Sequence, residues 1–119
     1  MTSLLIIAHG SRRAASNDEV RQLASQVRAQ SGHAYDHIEA AFLELAEPSI
    51  ADGLAVLAER GATDIVAFPY FLAAGTHVAQ DIPEAISEFS ATHPGVKVRL
   101  TPHLGASETL ASAILSVAK

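Results

Sequence analysis

Apolar segments of strand length alternate along the chain with stretches of helical periodicity. Three segments, residues 3–8, 37–43 and 63–68, are mostly apolar, and a fourth, residues 96–100, alternates apolar with basic side chains. After each segment, apolar residues recur three and four positions apart, as they do on one face of a helix. No repeat, low-complexity tract or linker interrupts the alternation. The pattern predicts four β-α units in a single domain, residues 1–119.

Local signals predict where the helices begin. Ser16 with Glu19 three residues later has the spacing of a capping box, and Asp81 with Glu84 repeats that spacing. Pro48 stands where the first turn of the second helix tolerates proline. These positions are consistent with helices that follow the first, second and third strands.

The strand order follows from which segments carry polar side chains. The first and third segments are almost entirely apolar, as central strands covered on both faces should be. The second contains His37 and Glu39, and the fourth contains Lys97 and Arg99, which suit edge strands. Strands that alternate with helices form parallel sheets. We therefore expect an α/β fold, flavodoxin-like in type, with a four-stranded parallel sheet in the order 2-1-3-4 and helices on both faces.

Sheets of this type bind ligands beyond the carboxyl ends of their strands, where the winding direction reverses. In the order 2-1-3-4 that point lies between the first and third strands. Residues 8–13 and 69–77 should therefore line a site, with residues 43–47 alongside them. In the second of these segments Tyr70 offers an apolar wall for a flat ring, with core packing as the alternative role.

Composition excludes several classes of protein and site. The 119 residues contain no cysteine, which removes disulfide scaffolds, thiolate metal sites and cysteine nucleophiles and suits a reducing compartment. The net charge is −5 without a basic tract, which argues against binding to nucleic acid. The longest apolar run, residues 4–8, is too short to span a membrane, and the first residues lack the cationic start of a signal peptide. We therefore expect a cytoplasmic protein with neither a nucleic acid nor a membrane as partner.

The segment after the first strand carries a candidate base and several donors. His9 stands at the expected carboxyl end of that strand. Gly10 permits a close backbone approach, and Ser11, Arg12 and Arg13 supply donors suited to carboxylate or phosphate groups. A structural histidine followed by a solvated turn is the alternative to this functional interpretation.

The other two segments supply further candidates. His77 follows Gly75 and Thr76, and by the expected topology it faces His9 across the crevice. Glu44 ends the second strand. Two neutral imidazoles and a carboxylate at one opening can bind a divalent metal and can also accept protons. Glu44 could instead be a carboxylate that stabilises the start of the second helix.

Three separated motifs contain these candidates. They read Ala-His-Gly-Ser-Arg at residues 8–12, Phe-Leu-Glu-Leu-Ala-Glu-Pro at residues 42–48, and Gly-Thr-His-Val-Ala-Gln-Asp-Ile-Pro at residues 75–83. In sequence, order and spacing they resemble the motifs of the short sirohydrochlorin chelatases, the CbiX/SirB type of cobaltochelatase and ferrochelatase. The likeness extends over essentially the whole chain.

The resemblance implies insertion of a divalent metal into sirohydrochlorin on the way to cobalamin or sirohaem, with Co²⁺ favoured over Fe²⁺. The metal ion would be a substrate, and no organic cofactor is implied. In the family, the histidines of the first and third motifs hold the metal and help to remove ring protons, which assigns those roles to His9 and His77, and the glutamate of the second motif corresponds to Glu44. The residues expected to bind the tetrapyrrole are Gly10, Ser11, Arg12, Arg13, Tyr70, Gly75 and Thr76.

The small size of the chain also bears on its partners. A domain of 119 residues has a radius of gyration of roughly 13–14 Å, so a tetrapyrrole with its carboxylate rim would cover much of one face. The short chelatases that the chain resembles are homodimers. We therefore expect a homodimer in which the second subunit covers the far side of the ring.

Three other functions compete with metal insertion. A non-catalytic carrier of metal or tetrapyrrole with the same fold would need the same ligands, so the residues leave it open. A phosphohistidine-type phosphatase would use His9 covalently, but such enzymes carry an arginine directly before the histidine, where this chain has Ala8. A flavodoxin-like signalling domain would need an acidic cluster after the first strand, which the sequence lacks.

Overall fold

Four strands and four helices alternate in the computed structural model, which describes residues 2–119 without the side chain of His77. The strands are β1 Thr2–Ala8, β2 Ile38–Phe42, β3 Asp64–Pro69 and β4 Lys97–Leu100. The helices are α1 Ala14–Gln30, α2 Ile50–Glu59, α3 Ile82–Thr92 and α4 Thr109–Val117. A π-helical turn, His77–Asp81, leads into α3, and a 3-10 turn, Leu104–Ala106, precedes α4.

The four strands form one parallel sheet in the order β2-β1-β3-β4, which confirms the predicted fold class and strand order. Residues 3–8 of the central strand β1 are all buried, whereas alternate residues of the edge strand β4 are exposed. Ala8 pairs with Phe42 of β2, and Ile7 pairs with Pro69 of β3. This register brings the carboxyl ends of β1, β2 and β3 to the same level.

Helices cover both faces of the sheet. Successive residues of a strand point to opposite sides, so an apolar strand presents an apolar surface on each face that helices can bury. Leu5 and Ile7 of β1 face α2 and α3 and form a buried cluster with residues such as Leu54 and Phe89. Leu4 and Ile6 face the opposite side, which α1 covers. The helix α4 differs from the other three, since none of its residues is buried. None of the helices in residues 2–119 combines the length and apolar character that a membrane crossing requires.

The predicted helix starts are wrong in detail. The α1 helix begins before Ser16, whose N–H donates to the Arg13 carbonyl (3.1 Å), so Ser16 lies inside the first turn and does not cap it. Asp81 does not cap α3 either, because the π-helical turn runs directly into that helix. Pro48 precedes α2, and the cap is Ser49, whose Oγ accepts from the Asp52 N–H at 3.1 Å.

Ser3 is a polar residue in the middle of this core. Its hydroxyl is fully buried and has no hydrogen-bond partner among the described residues. Burial of a hydroxyl without a partner costs free energy. We therefore expect Ser3→Ala to raise the free energy of unfolding by about 1 kcal/mol, measured by urea titration.

A matched serine provides the control. Ser49→Ala removes a hydroxyl that does accept a hydrogen bond at a helix start, and should lower the free energy of unfolding by about 1 kcal/mol. A decrease of similar size for Ser3→Ala would contradict the assignment of Ser3 as an unsatisfied group.

Candidate functional site

The pairing of β1 with β2 continues beyond the ends of the two strands. The Leu43 N–H donates to the Ala8 carbonyl (2.9 Å), and the Glu44 N–H donates to the His9 carbonyl (3.1 Å). His9 and Glu44 therefore lie next to each other at the carboxyl edge of the sheet, as the sequence predicted. Their side chains are hydrogen-bonded, with His9 Nε2 2.8 Å from Glu44 Oε1.

This histidine–carboxylate pair is open to solvent. The His9 side chain is 46% exposed and the Glu44 side chain is 55% exposed. When the neutral imidazole donates its Nε2 proton to the carboxylate, the ring lone pair lies on Nδ1. The pair thus places a nitrogen that can bind a metal or accept a proton beside a carboxylate that orients the imidazole ring.

Gly10 permits the close approach of the two loops. Its φ is +95°, in the region that favours glycine, and a Cβ atom at this position would lie 1.8 Å from the Glu44 carbonyl oxygen. No side chain fits there. The residue after His9 must therefore be glycine if the segment that carries Glu44 is to pack against it.

Asn17 holds the next residue of the loop in place. Its Oδ1 accepts from the Ser11 N–H (2.9 Å) and its Nδ2 donates to the Ser11 carbonyl (2.8 Å). The Asn17 residue is only 7% exposed. The Ser11 Oγ in turn accepts from the Arg13 N–H at 3.1 Å. The loop that follows His9 is thereby fixed from the first turn of α1.

Asn17 was not among the predicted site residues, although a signal for it exists. It falls on the same helical stripe as Val20, Ala24 and Val27, which face the sheet. A polar amide on the buried stripe of an amphipathic helix needs hydrogen-bond partners, and here the backbone of Ser11 supplies them.

The segment 43–48, which carries Glu44, is fixed at both ends. The Phe42 N–H donates to the Pro48 carbonyl (2.9 Å), so the segment leaves and returns at the same strand edge. Arg21 of α1 donates from Nη2 to the Glu47 carbonyl (2.9 Å), and its guanidinium lies 5.1 Å from the centre of the Phe42 ring. These contacts position the carboxylate beside His9.

The segment after β3 approaches the pair from the other side. Phe71 stacks against the His9 ring, with 6.4 Å between ring centres. Tyr70 lines a groove between α1 and α4, on the face of the sheet opposite to the one on which Phe71 packs. Gly75 and Thr76 are exposed. His77 begins the π-helical turn, but its side chain lies outside the described residues, so its predicted pairing with His9 stays a prediction.

The other predicted ligand-binding residues surround the pair without completing a metal cluster. Arg12 and Arg13 have exposed side chains in the loop after His9. Among the described side chains, no group of three or more His, Asp or Glu residues is arranged to hold a metal. The described part of the site therefore offers two donor groups, His9 and Glu44, at an accessible edge.

The chain is similar to known proteins over nearly its whole length. The family model named CbiX matches residues 3–119. The sirohydrochlorin cobaltochelatase of Sulfurisphaera tokodaii is 32% identical over 111 residues, which cover 93% of this chain and 86% of that protein. The chloroplastic sirohydrochlorin ferrochelatase of Arabidopsis thaliana is 34% identical over 102 residues, which cover 86% of this chain and 44% of that protein.

Solved structures share the fold over nearly the full chain. A protein of Marinobacter aquaeolei named as a cobalamin biosynthesis CbiX protein superposes with a TM-score of 0.83 at 30% identity, covering 99% of this chain and 94% of that one. The sirohydrochlorin chelatase SirB of Bacillus subtilis, in complex with cobalt, gives a TM-score of 0.87 at 28% identity. That match covers 97% of this chain and 48% of SirB, so the chain spans about half the length of SirB.

The close approach of Gly10 to the Glu44 carbonyl predicts that a side chain at this position destabilises the fold. In Gly10→Ala, overlap with the Glu44 carbonyl forces the two loops apart, so we expect the free energy of unfolding to fall by about 3 kcal/mol or more, measured by urea titration.

Gly61→Ala is the matched control, because Gly61 has a φ of +97° but nothing within 4 Å of an added Cβ. It should cost only about 1 kcal/mol, the cost of the backbone conformation alone. Equal losses for the two variants would show that the close approach to Glu44 contributes nothing.

Proposed function

This chain belongs to the CbiX family, and we propose that it is a sirohydrochlorin chelatase that inserts a divalent metal ion, Co²⁺ in preference to Fe²⁺, into the tetrapyrrole. The observation that carries the proposal is the solvent-open His9–Glu44 pair at the carboxyl edge of the sheet. The relatives named as cobaltochelatase and ferrochelatase, and the cobalt complex of SirB, support the same reaction. The metal ion is a substrate of the proposed reaction, which requires no organic cofactor.

The chemistry of metal insertion explains why such a pair is suitable. Two pyrrole N–H protons leave the macrocycle while one divalent ion enters it, so the site needs a base and a weak metal ligand near the ring nitrogens. Imidazole serves both purposes, because it exchanges protons near neutral pH and binds borderline metals. A site built from thiolates would hold the ion more tightly, which suits storage better than transfer.

We assign the proton acceptor and first metal ligand to His9. In the tautomer whose Nε2–H donates to Glu44, Nδ1 carries the ring lone pair, and we propose that this atom binds the ion or accepts a pyrrole proton. The adjacent carboxylate fixes the orientation of the imidazole ring through its hydrogen bond to Nε2. His77 is the proposed second imidazole, since the π-helical turn that it begins follows the segment whose Phe71 stacks on His9.

The charge of the substrate constrains the rest of the site. Sirohydrochlorin is rich in carboxylates, whereas the chain has a net charge of −5. Local donors must therefore offset the long-range repulsion. We propose that the exposed Arg12 and Arg13 bind peripheral carboxylates. The backbone and hydroxyl donors proposed to assist them are Gly10, Ser11, Gly75 and Thr76. Tyr70 is the proposed contact for the ring, and because it lines the groove on the α1 side of the sheet, the ring would have to extend past the carboxyl edge to reach it.

An anaerobic metallation assay tests the proposal. Purified protein mixed with sirohydrochlorin and Co²⁺ or Fe²⁺ should produce the metallated absorption spectrum faster than the same mixture without protein. His9→Ala and His77→Ala should each lower the rate by about 100-fold, the usual effect of removing a proton acceptor. Glu44→Gln should lower it by about 10-fold or more, because the imidazole loses its charged partner.

His33→Ala serves as the control, since His33 is exposed in the turn between α1 and β2, away from the carboxyl edge. This variant should retain the wild-type rate. Absence of acceleration with both metals would favour the carrier of the same fold over the enzyme. Full activity of both His9→Ala and His77→Ala would show that the catalytic site does not lie at the carboxyl edge of the sheet.

We further propose that two copies of the chain associate. The helix α4 contains no charged residue, and Ile114, Leu115 and Val117 are among the exposed large apolar side chains. An apolar groove of about 860 Å³ lies beside this helix, between α1 and the sheet. The match with SirB covers only 48% of that protein, a length that would accommodate a second unit of this size. A cytoplasmic location is also proposed, since a cysteine-free chain needs no oxidising compartment.

The dimer proposal is tested by sedimentation velocity over a range of protein concentrations. Leu115→Glu places a charge on the apolar face of α4 and should raise the dimer dissociation constant at least about tenfold. Val56→Glu, on the exposed face of α2, should leave it unchanged. A wild-type protein that stays monomeric at every concentration would refute the dimer without bearing on metal insertion.

A further inference from the structure

Leu45, the residue after Glu44, has an unusual backbone conformation. Its φ is +64°, and it is the one non-glycine residue with positive φ among those that the structure describes. An L-residue with a branched side chain is disfavoured in this left-handed region, because its Cβ crowds the following carbonyl oxygen. Asparagine and glycine adopt the conformation at much lower cost.

The side chain of Leu45 is also poorly placed for stability. It is 55% exposed, so much of its apolar surface remains in water. A leucine normally stabilises a fold by burial. At this position it combines backbone strain with solvent exposure, and a smaller polar residue would satisfy the fold better.

The surrounding structure holds this conformation in place. The Glu44 N–H, one residue earlier, is bonded to the His9 carbonyl, and the Glu47 carbonyl, two residues later, accepts from Arg21. Leu45 lies between these two anchors. Strained residues that the surrounding structure fixes in this way are concentrated at functional sites.

The neighbourhood of Leu45 suits the face of a flat ring. Leu45 directly follows the carboxylate of the His9–Glu44 pair, and Phe71 stacks on the His9 ring. Leu72, the residue after Phe71, is 71% exposed. Exposed apolar side chains thus belong to both segments that flank the pair, whereas the pair itself is polar.

We propose that Leu45 is a substrate-binding residue that contacts the apolar face of the tetrapyrrole and holds the ring over His9 and Glu44. This inference rests on the proposed function, since it takes sirohydrochlorin as the ligand. The strained conformation presents an apolar side chain to the ring from the segment that supplies the carboxylate. The stability lost in the free protein is then offset by binding.

The proposal predicts effects of opposite sign on stability and on binding. Leu45→Asn should raise the Tm by about 3 °C, because asparagine tolerates the left-handed conformation. The same variant should bind metal-free sirohydrochlorin about tenfold more weakly, because the apolar contact is lost. Leu45→Met retains an apolar side chain of similar volume and should bind the ring within about twofold of wild type.

Binding is measured without metal by titrating sirohydrochlorin fluorescence, and Tm is measured by circular dichroism. Val56→Asn, a loss of exposed apolar surface on α2, should leave the affinity unchanged. If the wild type binds and Leu45→Asn binds equally well, the assignment of Leu45 is wrong. A fall in Tm for Leu45→Asn would likewise overturn it, by showing that the leucine stabilises the fold. A wild type that does not bind sirohydrochlorin refutes the proposed function itself.

Discussion

The structure of the site depends on one constraint, the continuation of β1–β2 pairing past the ends of both strands. Inside the sheet this pairing joins mostly apolar residues, and just beyond the strand ends it brings His9 next to Glu44. The continuation is possible because Gly10 leaves room for the Glu44 carbonyl. Asn17 and Arg21, both on α1, then fix the two loops that leave the sheet. The helix that covers one face of the sheet thus also orders the site at its edge.

The fold could be predicted because the burial of a strand determines how many of its residues are apolar. A strand covered on both faces is mostly apolar, and β1 and its neighbour β3 meet that condition after their first residues, apart from Ser3. Lys97 and Arg99 mark β4 as an edge. Strand order, and with it the position of the crevice, follows from this contrast. The helix starts could not be read in the same way. A serine–glutamate spacing occurs by chance at Ser16, and the start of α1 is instead determined by a contact between Ser11 and Asn17 that depends on how the loop folds back.

The site was predictable to the extent that it follows from topology. His9 and Glu44 end adjacent parallel strands, so their proximity is a consequence of strand order. Asn17 and Leu45 were missed because their significance is conformational. The place of Asn17 on an apolar stripe indicates that its amide needs partners, but which partners it has, and the positive φ of Leu45, are known only from the backbone. Sequence motifs predict the candidate reactive groups, whereas the residues that hold the loops in place are identified by hydrogen bonds and dihedral angles.

The C-terminal part of the chain connects the exposed helix with the site. Gly105, in the 3-10 turn before α4, donates its N–H to the Phe71 carbonyl at 3.0 Å, and a Cβ there would lie 1.8 Å from the Leu72 carbonyl oxygen. The turn therefore packs as closely on the segment after β3 as Gly10 packs on the segment after β2. Because Phe71 stacks on His9, a displacement of α4 that moved this turn would also move the wall of the site. Close packing at two glycines thus links the His9–Glu44 pair to its surroundings: Gly10 packs on the segment after β2, and Gly105 packs on the segment after β3.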